Sequence, residues 1–491
     1  MTPSDFNYLL PLIILAAMSV LIISAIAVRR NHLQTVLMTA IAFAAALISL
    51  LQCDVSHPHL IAPLFVIDRY ALYFLALLYS AGLLLTFLAY DYLKNLDLKR
   101  EEYYVLLLLA TLGSSVLIIS RHFVSFFLGL EILGVALYTL IAYVVDRKKG
   151  SEAGIKYLIL AAAASAFLLF GMALIYFGSG TMEFVELSKV LISGINSPII
   201  YPGIALMIVG VGFKLAVVPF HMWTADVYEG APAPVTAFIA TVSKGSMFAL
   251  ILRFFTPMDI IAHNALFLIF AIVSVASMFT GNILALMQNN LKRILAYSSI
   301  AHLGYLLVAF LAGNTIGLSA VAFYLLAYFV TIIGAFAVIS VLSGREGESV
   351  ALEDYRSLYW RHPWLAAMLT TFMFSLAGIP LTAGFIAKFY ILIAGIKASL
   401  WVLVFMLVIN SAISVYYYLR VIMAMFSKSD TETEKTTEAN YVVPTLSGLV
   451  LAVLMFVLIW AGVYPGHLID AIQSLASGLV SNPPQAGMLF P

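Results

Sequence analysis

About fourteen apolar runs, each long enough to cross a bilayer core of ~30 Å, follow one another with short loops between them. A backbone amide in hydrocarbon has no water to pair with, so segments of this kind can only be helices that satisfy their own N–H and C=O groups. The expected spans are 8–28, 34–51, 70–90, 103–119, 123–145, 153–177, 199–220, 231–254, 262–286, 294–312, 316–342, 364–393, 400–424 and 445–464. Only 10% of the 491 residues are charged, against roughly 25% in a soluble domain. The fold class is therefore an all-α polytopic membrane protein. A net charge of +1 gives no argument for nucleic acid, and the single cysteine, Cys53, allows no intramolecular disulfide. Neither GxGxxG nor GxxxxGK[ST] occurs, so no nucleotide site is expected. No Lys or Arg precedes the first apolar run, which reads as a retained span rather than a signal peptide.

Basic residues set the orientation. Fifteen Lys and Arg fall in loops after odd-numbered spans, among them Arg29, Arg30, Arg147, Lys148, Lys149, Lys292, Arg293, Arg345 and Lys435. Five lie on the other side: Arg69, Arg121, Lys189, Arg253 and Lys397. The odd-loop side is expected to be cytoplasmic, with both termini outside. Two spans are interrupted. The seventh reads FKLAVVPFHMW, with Lys214 ahead of Pro219, and the twelfth reads SLAGIPLTAGFIAKFY, with Gly378 and Pro380 ahead of Lys388. Proline inside a helix kinks or breaks it, and breaks at membrane depth are tolerated where they line protein or water. The broken spans are five apart, and an odd offset inverts the second set of spans relative to the first, the plan of many secondary transporters. Two ordinary proline kinks are the alternative. The expected organisation is spans 1–3 in 1–100, a first repeat in 101–258, a second, inverted repeat in 259–426, and a polar loop, a last span and a brief tail in 427–491.

Four ionisable side chains lie deep in these runs: Glu131, Lys214, Lys244 and Lys388. A charge at the bilayer centre costs roughly 2.5–3.5 kcal/mol on insertion scales. Glu131 is about 12 Å into the fifth span at ~1.5 Å per residue, and Lys214 about 17 Å into the seventh. Neither can easily snorkel to a headgroup. Glu131 is the acidic residue placed at the midplane and the natural partner for a lysine on a neighbouring span. A static pair that fixes helix packing is the competing reading. Lys244 can be structural, bonded to carbonyls of a neighbouring span, and Lys388 can cap a half-helix end. His302 in the tenth span shares a face with Ser298 and Ser299; it can relay protons or pack as a hydrogen-bonded core histidine. Lys156, near the cytoplasmic end of the sixth span, and His221, just past Pro219, are weaker candidates. Lys156 can snorkel, and His221 can be an interfacial residue or a gate. A carboxylate that approaches a buried amine raises its proton affinity, and one that recedes lowers it. Lysines at successive midplane positions, bridged by hydroxyls and water, make a horizontal proton wire.

The stretch GFKLAVVPFHMWTADVYEGAPAPVTAFIATVSK (212–244) resembles the antiporter-like membrane subunits of respiratory complex I. Within these it is similar to subunit N of bacterial NADH–quinone oxidoreductase. LKRILAYSSIAHLGYLL (291–307) and SLAGIPLTAGFIAKFY (375–390) extend the resemblance over nearly the whole chain. It implies a fourteen-helix fold with two inverted five-helix repeats. It places the family's proton-carrying residues on Glu131, Lys156, Lys214, Lys244, His302 and Lys388. One departure is visible: Ala225 stands where the family has proline before Asp-Val-Tyr.

The implied function is proton translocation across the bacterial inner membrane, coupled to NADH oxidation and quinone reduction on other subunits. Cofactors are expected to be absent here, with NADH, FMN, iron–sulfur clusters and quinone on partner subunits. The partners implied are other membrane subunits and, through them, the peripheral redox arm. Two other readings remain: a subunit of a multi-subunit sodium/proton antiporter or hydrogenase-linked pump, and a proton-silent scaffold of a membrane arm.

Overall fold

The structure is a computed structural model, and it describes residues 3–53, 57–94, 96, 99–144, 148–192, 198–258, 264–344, 347–428 and 443–480. The charged stretch 427–440 falls outside the described residues from 429 onward, as do Arg147, Arg345 and Lys435. The chain is nearly all helical. The helices are α1 (Pro3–Val28), α2 (His32–Leu50), α3 (Arg69–Lys94), α4 (Glu102–Ile119), α5 (Phe123–Ile141), α6 (Lys148–Ser179) and α7 (Phe184–Ile192). Then come α8 (Ile200–Leu215), α9 (Thr224–Gly230), α10 (Ala233–Phe238), α11 (Lys244–Phe255), α12 (Asn264–Leu286), α13 (Leu291–Leu311) and α14 (Thr315–Leu342). The last are α15 (Leu358–Arg361), α16 (Pro363–Ala377), α17 (Ala383–Lys397), α18 (Trp401–Phe426), α19 (Thr445–Val463) and α20 (Gly466–Val480). A two-stranded hairpin, His59–Ile61 paired antiparallel with Phe65–Ile67, joins α2 to α3.

Twelve helical stretches among the described residues are long and apolar enough to cross a membrane, and α8 and α16 are shorter apolar helices. Both short helices stop where the sequence places a break, and both stop in the same way. Ala216 (φ 61°) and Gly378 (φ 82°) take the left-handed conformation. The next amide reaches back five residues, Val217 to Gly212 at 3.1 Å and Ile379 to Phe374 at 3.0 Å. This Schellman closure satisfies carbonyls that a broken helix would otherwise leave bare in hydrocarbon. Glycine carries the left-handed position in α16 without strain; in α8 an alanine bears it. The indole N–H of Trp223 closes the α8 end further, donating to Phe213 O at 3.0 Å.

Burial sorts the helices. The most apolar window of Ala233–Met258 is 100% buried, and those of α13 and α14 are each 94% buried; α1 reaches 28% and α6 33%. The first three form the centre, and the others present apolar faces outward. Small residues let neighbours touch: a Cβ at Gly113 of α4 would stand 2.5 Å from Leu133 N of α5, and one at Gly171 of α6 would stand 2.6 Å from Gly203 O of α8. Between α10 and α11, Ile239–Ser243 forms a π turn that ends immediately before Lys244. Such turns are often found at functional positions.

Two features depart from the sequence expectation. The tail past Pro465 is not merely a brief polar end: α20 follows it, with Leu468, Ile469 and Ile472 on one stripe, and packs on α14 and α3 with Ile472 buried. Arg253, counted above among the basic residues of the non-cytoplasmic side, is buried. Its guanidinium donates to both Asp68 oxygens at 2.9 Å and to Ile118 O at 3.0 Å. Asp68 also accepts from Ala71 N at 2.8 Å and so caps α3. One bidentate pair thus ties together α3, α4 and α11. Removing one partner of such a pair costs about 3–5 kcal/mol. Asp68→Ala is expected to lower the thermal unfolding temperature of the detergent-solubilised chain, and Asp68→Ala with Arg253→Met to recover part of the loss.

Candidate functional site

The ionisable residues read from the sequence fall into two groups. Lys214, Lys244, His302 and Lys388 are all buried. Lys214, near the end of α8, donates to Tyr157 Oη at 3.0 Å. Lys244, at the start of α11, donates to Ser299 Oγ at 2.6 Å and lies 5.2 Å from the centre of the Tyr228 ring. His302 of α13 hydrogen-bonds through Nδ1 with Tyr324 Oη at 2.5 Å and through Nε2 with Tyr418 Oη at 3.0 Å. Lys388 of α17 donates to Ala377 O at 2.9 Å and Ser411 Oγ at 3.0 Å. Lys388 therefore does cap the end of α16, and it also faces a cavity.

Glu131 departs from the expectation. It makes no ion pair with Lys214 within 4 Å among the described residues; it accepts from Ser165 Oγ at 2.7 Å and is half-buried. Beside Lys214 lies a cavity of about 10 Å³, lined also by Ser165, Tyr138, Leu130 and Gly210, room for about one water. A second cavity of about 10 Å³ lies between His302, Tyr324, Tyr328, Thr331, Ser375 and Lys388. The two serines beside His302 part company. Ser298 shares a hydrogen bond with Tyr418 and so belongs to the histidine. Ser299 joins Lys244, with Tyr228 Oη 3.3 Å away.

Lys156 is exposed and pairs with Asp226 at 3.0 Å and Glu152 at 2.6 Å. His221 is half-buried, and its Nδ1 has no hydrogen-bond partner. Ala225, in the position where a proline was anticipated, is buried in α9 and leaves that helix intact. Among the described residues no group of three His, Cys, Asp or Glu could hold a metal ion.

The sequence reading missed an ion-pair cluster at the end of α9. Arg293 bonds Asp226 and Glu229, both at 2.9 Å, and Lys149 bonds Glu229 at 2.8 Å. Behind it, Lys292 is wholly buried and its ammonium donates to Glu348 Oε2 at 2.7 Å, Ala231 O at 2.5 Å and Glu229 O at 3.2 Å. Glu348 also accepts from Ala233 N at 2.9 Å and Tyr92 Oη at 2.5 Å. A carboxylate at the start of α10 meets both the free N–H groups and the positive end of the helix dipole. Only the order of acids and bases is visible in the sequence; which of them meet is decided by helices far apart along the chain. The hydroxyls around His302 carried a clearer signal: Tyr324, Tyr328 and Thr331 are four and three residues apart, one face of α14.

A family model described as NADH:quinone oxidoreductase/Mrp antiporter, TM, matches residues 120–414. The chain belongs to this family of membrane subunits. NADH-quinone oxidoreductase subunit N of Ectopseudomonas mendocina is 44% identical over 477 residues, covering 95% of this chain and 96% of that protein. A chain of the respiratory complex I of Thermus thermophilus, solved with bound aureothin, is 32% identical with a TM-score of 0.79, covering 94% of this chain and 99% of that one. A chain of an archaeal membrane-bound sulfane sulfur reductase is 25% identical with a TM-score of 0.83, covering 97% of each. These relatives are all parts of multi-subunit membrane assemblies, and this family member is built to the same length.

Two outcomes are expected. Glu348→Ala removes the carboxylate bonded to the buried Lys292 ammonium, a loss of about 3–5 kcal/mol, and bares the Ala233 amide; the loss is read as a lower unfolding temperature and faster proteolysis at the 229–233 turn. The second concerns pH. Burial alone would raise the Asp226 and Glu229 carboxyls. Bonds from Lys156 and Arg293 to the first, and from Lys149 and Arg293 to the second, outweigh burial and hold both below the usual carboxylate range. A carboxyl depressed on folding contributes stability above its unfolded value, and that contribution fades as pH falls through the folded value. Docking of α9 is expected to persist from neutral to mildly acidic pH and to loosen only below the carboxylate range. Amide exchange over 224–230, corrected for intrinsic rates, measures it.

Proposed function

We propose that this chain is the subunit N of a bacterial NADH:quinone oxidoreductase and moves protons across the inner membrane without redox chemistry of its own. The observation that carries this reading is the set of buried amines and one imidazole on α8, α11, α13 and α17, each bonded to a neutral hydroxyl or carbonyl, with water-sized cavities beside Lys214 and Lys388. A scaffold has no use for such a set, because each charge is expensive at that depth.

In this reading Glu131 governs Lys214. The carboxylate rests on Ser165, and Ser165 and the amine line one cavity. Its approach favours the ammonium, and its return favours release. Lys244, His302 and Lys388 carry the proton onward. Lys156, exposed and paired with Asp226, and His221 with its free ring nitrogen stand at the cytoplasmic side. NADH, FMN, iron–sulfur clusters and quinone act on partner subunits, and energy arrives as conformational or electrostatic change. The matching Schellman closures of α8 and α16 support fourteen spans, with two inverted repeats in 101–258 and 259–426. The basic-residue count supports periplasmic termini.

The test is Lys214→Ala in the assembled complex, reconstituted in proteoliposomes and driven by NADH and quinone. Assembly is expected to survive and proton uptake to fall by about 10²-fold, the scale of a lost acid–base group. Full pumping in the assembled variant refutes the assignment. Pumping is expected to be indifferent to sodium; a sodium requirement moves the assignment to the antiporters.

A further inference from the structure

Two sets of hydrogen-bonded side chains approach each other around one hydroxyl that belongs to neither. In the first, Lys244 donates to Ser299 at 2.6 Å and Tyr228 shares a longer bond of 3.3 Å with the same serine. In the second, His302 and Lys388 face a common cavity. No hydrogen bond among the described residues joins Lys244 or Ser299 to either of them. Tyr328 lies between. Its ring packs on His302 with centroids 5.5 Å apart. Its side chain lines the cavity, Ser299 is a near neighbour outside hydrogen-bond geometry, and the buried hydroxyl has no partner. A buried hydroxyl left unpaired is destabilising and calls for an explanation.

The other groups around the cavity are engaged. Thr331 and Ser375 hydrogen-bond each other at 3.0 Å, and both His302 nitrogens are bonded to tyrosines. Lys388 is the exception: an ammonium has three donors, and it uses two, on Ala377 O and Ser411. A cavity of about 10 Å³ takes one water, and the unpartnered Tyr328 hydroxyl and the spare Lys388 donor can both hold it. We propose that Tyr328 is a proton-relay residue that joins Lys244 to Lys388 through Ser299 and a single water in this cavity. This rests on the reading of the chain as a proton-translocating subunit. In one transfer the Lys244 ammonium gives a proton to Ser299 Oγ, which gives its own to Tyr328 Oη once a small side-chain rotation brings the two hydroxyls into hydrogen-bond reach. Tyr328 gives its own to the water, and the water gives one to the neutral Lys388 amine. Each oxygen gains one proton and loses one, so a single positive charge moves from Lys244 to Lys388 and no oxidant or cofactor takes part.

The experiment compares Tyr328→Phe, Lys388→Ala and Tyr79→Phe in the assembled, NADH-driven complex in proteoliposomes. Tyr79 also has an unpartnered buried hydroxyl, on α3 and outside that set, so its variant controls for loss of a buried hydroxyl as such and is expected to pump normally. Tyr328→Phe keeps the ring and removes one oxygen. It is expected to slow pumping about tenfold, equivalent to ~1.4 kcal/mol of barrier, and to change the solvent deuterium isotope effect, which a purely structural role would leave unmoved. Normal pumping in Tyr328→Phe with defective Lys388→Ala overturns the relay alone; normal pumping in both overturns the underlying reading as well. Should Tyr328→Phe fail to assemble, a high-resolution map of the unmodified complex decides: a water within hydrogen-bond reach of Tyr328 Oη and Lys388 Nζ supports the relay, and a dry cavity overturns it.

Discussion

Hydrocarbon supplies no hydrogen bonds, and most of the architecture answers that deficit. An intact helix meets it by itself. A helix that stops inside the membrane leaves carbonyls bare, and here each such stop is closed by the same local device. At α8 the amides of Ala216 and Val217 turn back and Trp223 adds its N–H. At α16 the amides of Gly378 and Ile379 do so, and the Lys388 ammonium adds a further donor to Ala377 O. The break and the lysine are therefore one feature in the second half of the chain: the amine has an acceptor there because the helix ended.

Buried charges in this molecule divide by the partner they hold. Arg253 meets Asp68 through two parallel bonds and spends its Nε on Ile118 O; Lys292 uses all three ammonium donors, one of them on Glu348. At such sites the carboxylate alongside favours the charged form and holds the cation in place. Lys214 and Lys244 have hydroxyls, not carboxylates, within bonding reach, and Lys388 has a hydroxyl and a carbonyl. A hydroxyl both donates and accepts, so it can hold an ammonium and equally a neutral amine. The first kind of charge fixes where α3, α4, α9, α10 and α11 sit; the second kind can change its protonation state without rearranging that frame.

Helix positions and both breaks were legible because periodicity and proline act locally. Lys214, Lys244, His302 and Lys388 were legible because a charge stands out against an apolar run. The pairings were not. Ser298 and Ser299 share a helical face by count, yet one bonds Tyr418 of α18, the partner of His302, and the other Lys244 of α11, because adjacent residues on α13 point about 100° apart. The burial of Arg253 was not legible because a sequence cannot show that Asp68, remote along the chain, folds back to meet it. The α20 helix was hidden by its short length and by the Pro-containing tail in which it begins.

The gap between Glu131 and Lys214 is the most consequential of these departures. In direct contact at about 4 Å the two charges would attract by ~4 kcal/mol at an effective dielectric of about 20. That is enough to hold the amine protonated through any modest rearrangement, and a pair so locked would serve packing only. Glu131 instead spends an oxygen on Ser165, which lines the same water-sized cavity as the amine. The attraction is weaker at that separation, and it changes with small displacements of α5 against α6 and α8. The proton affinity of the lysine therefore becomes a property that helix packing can set.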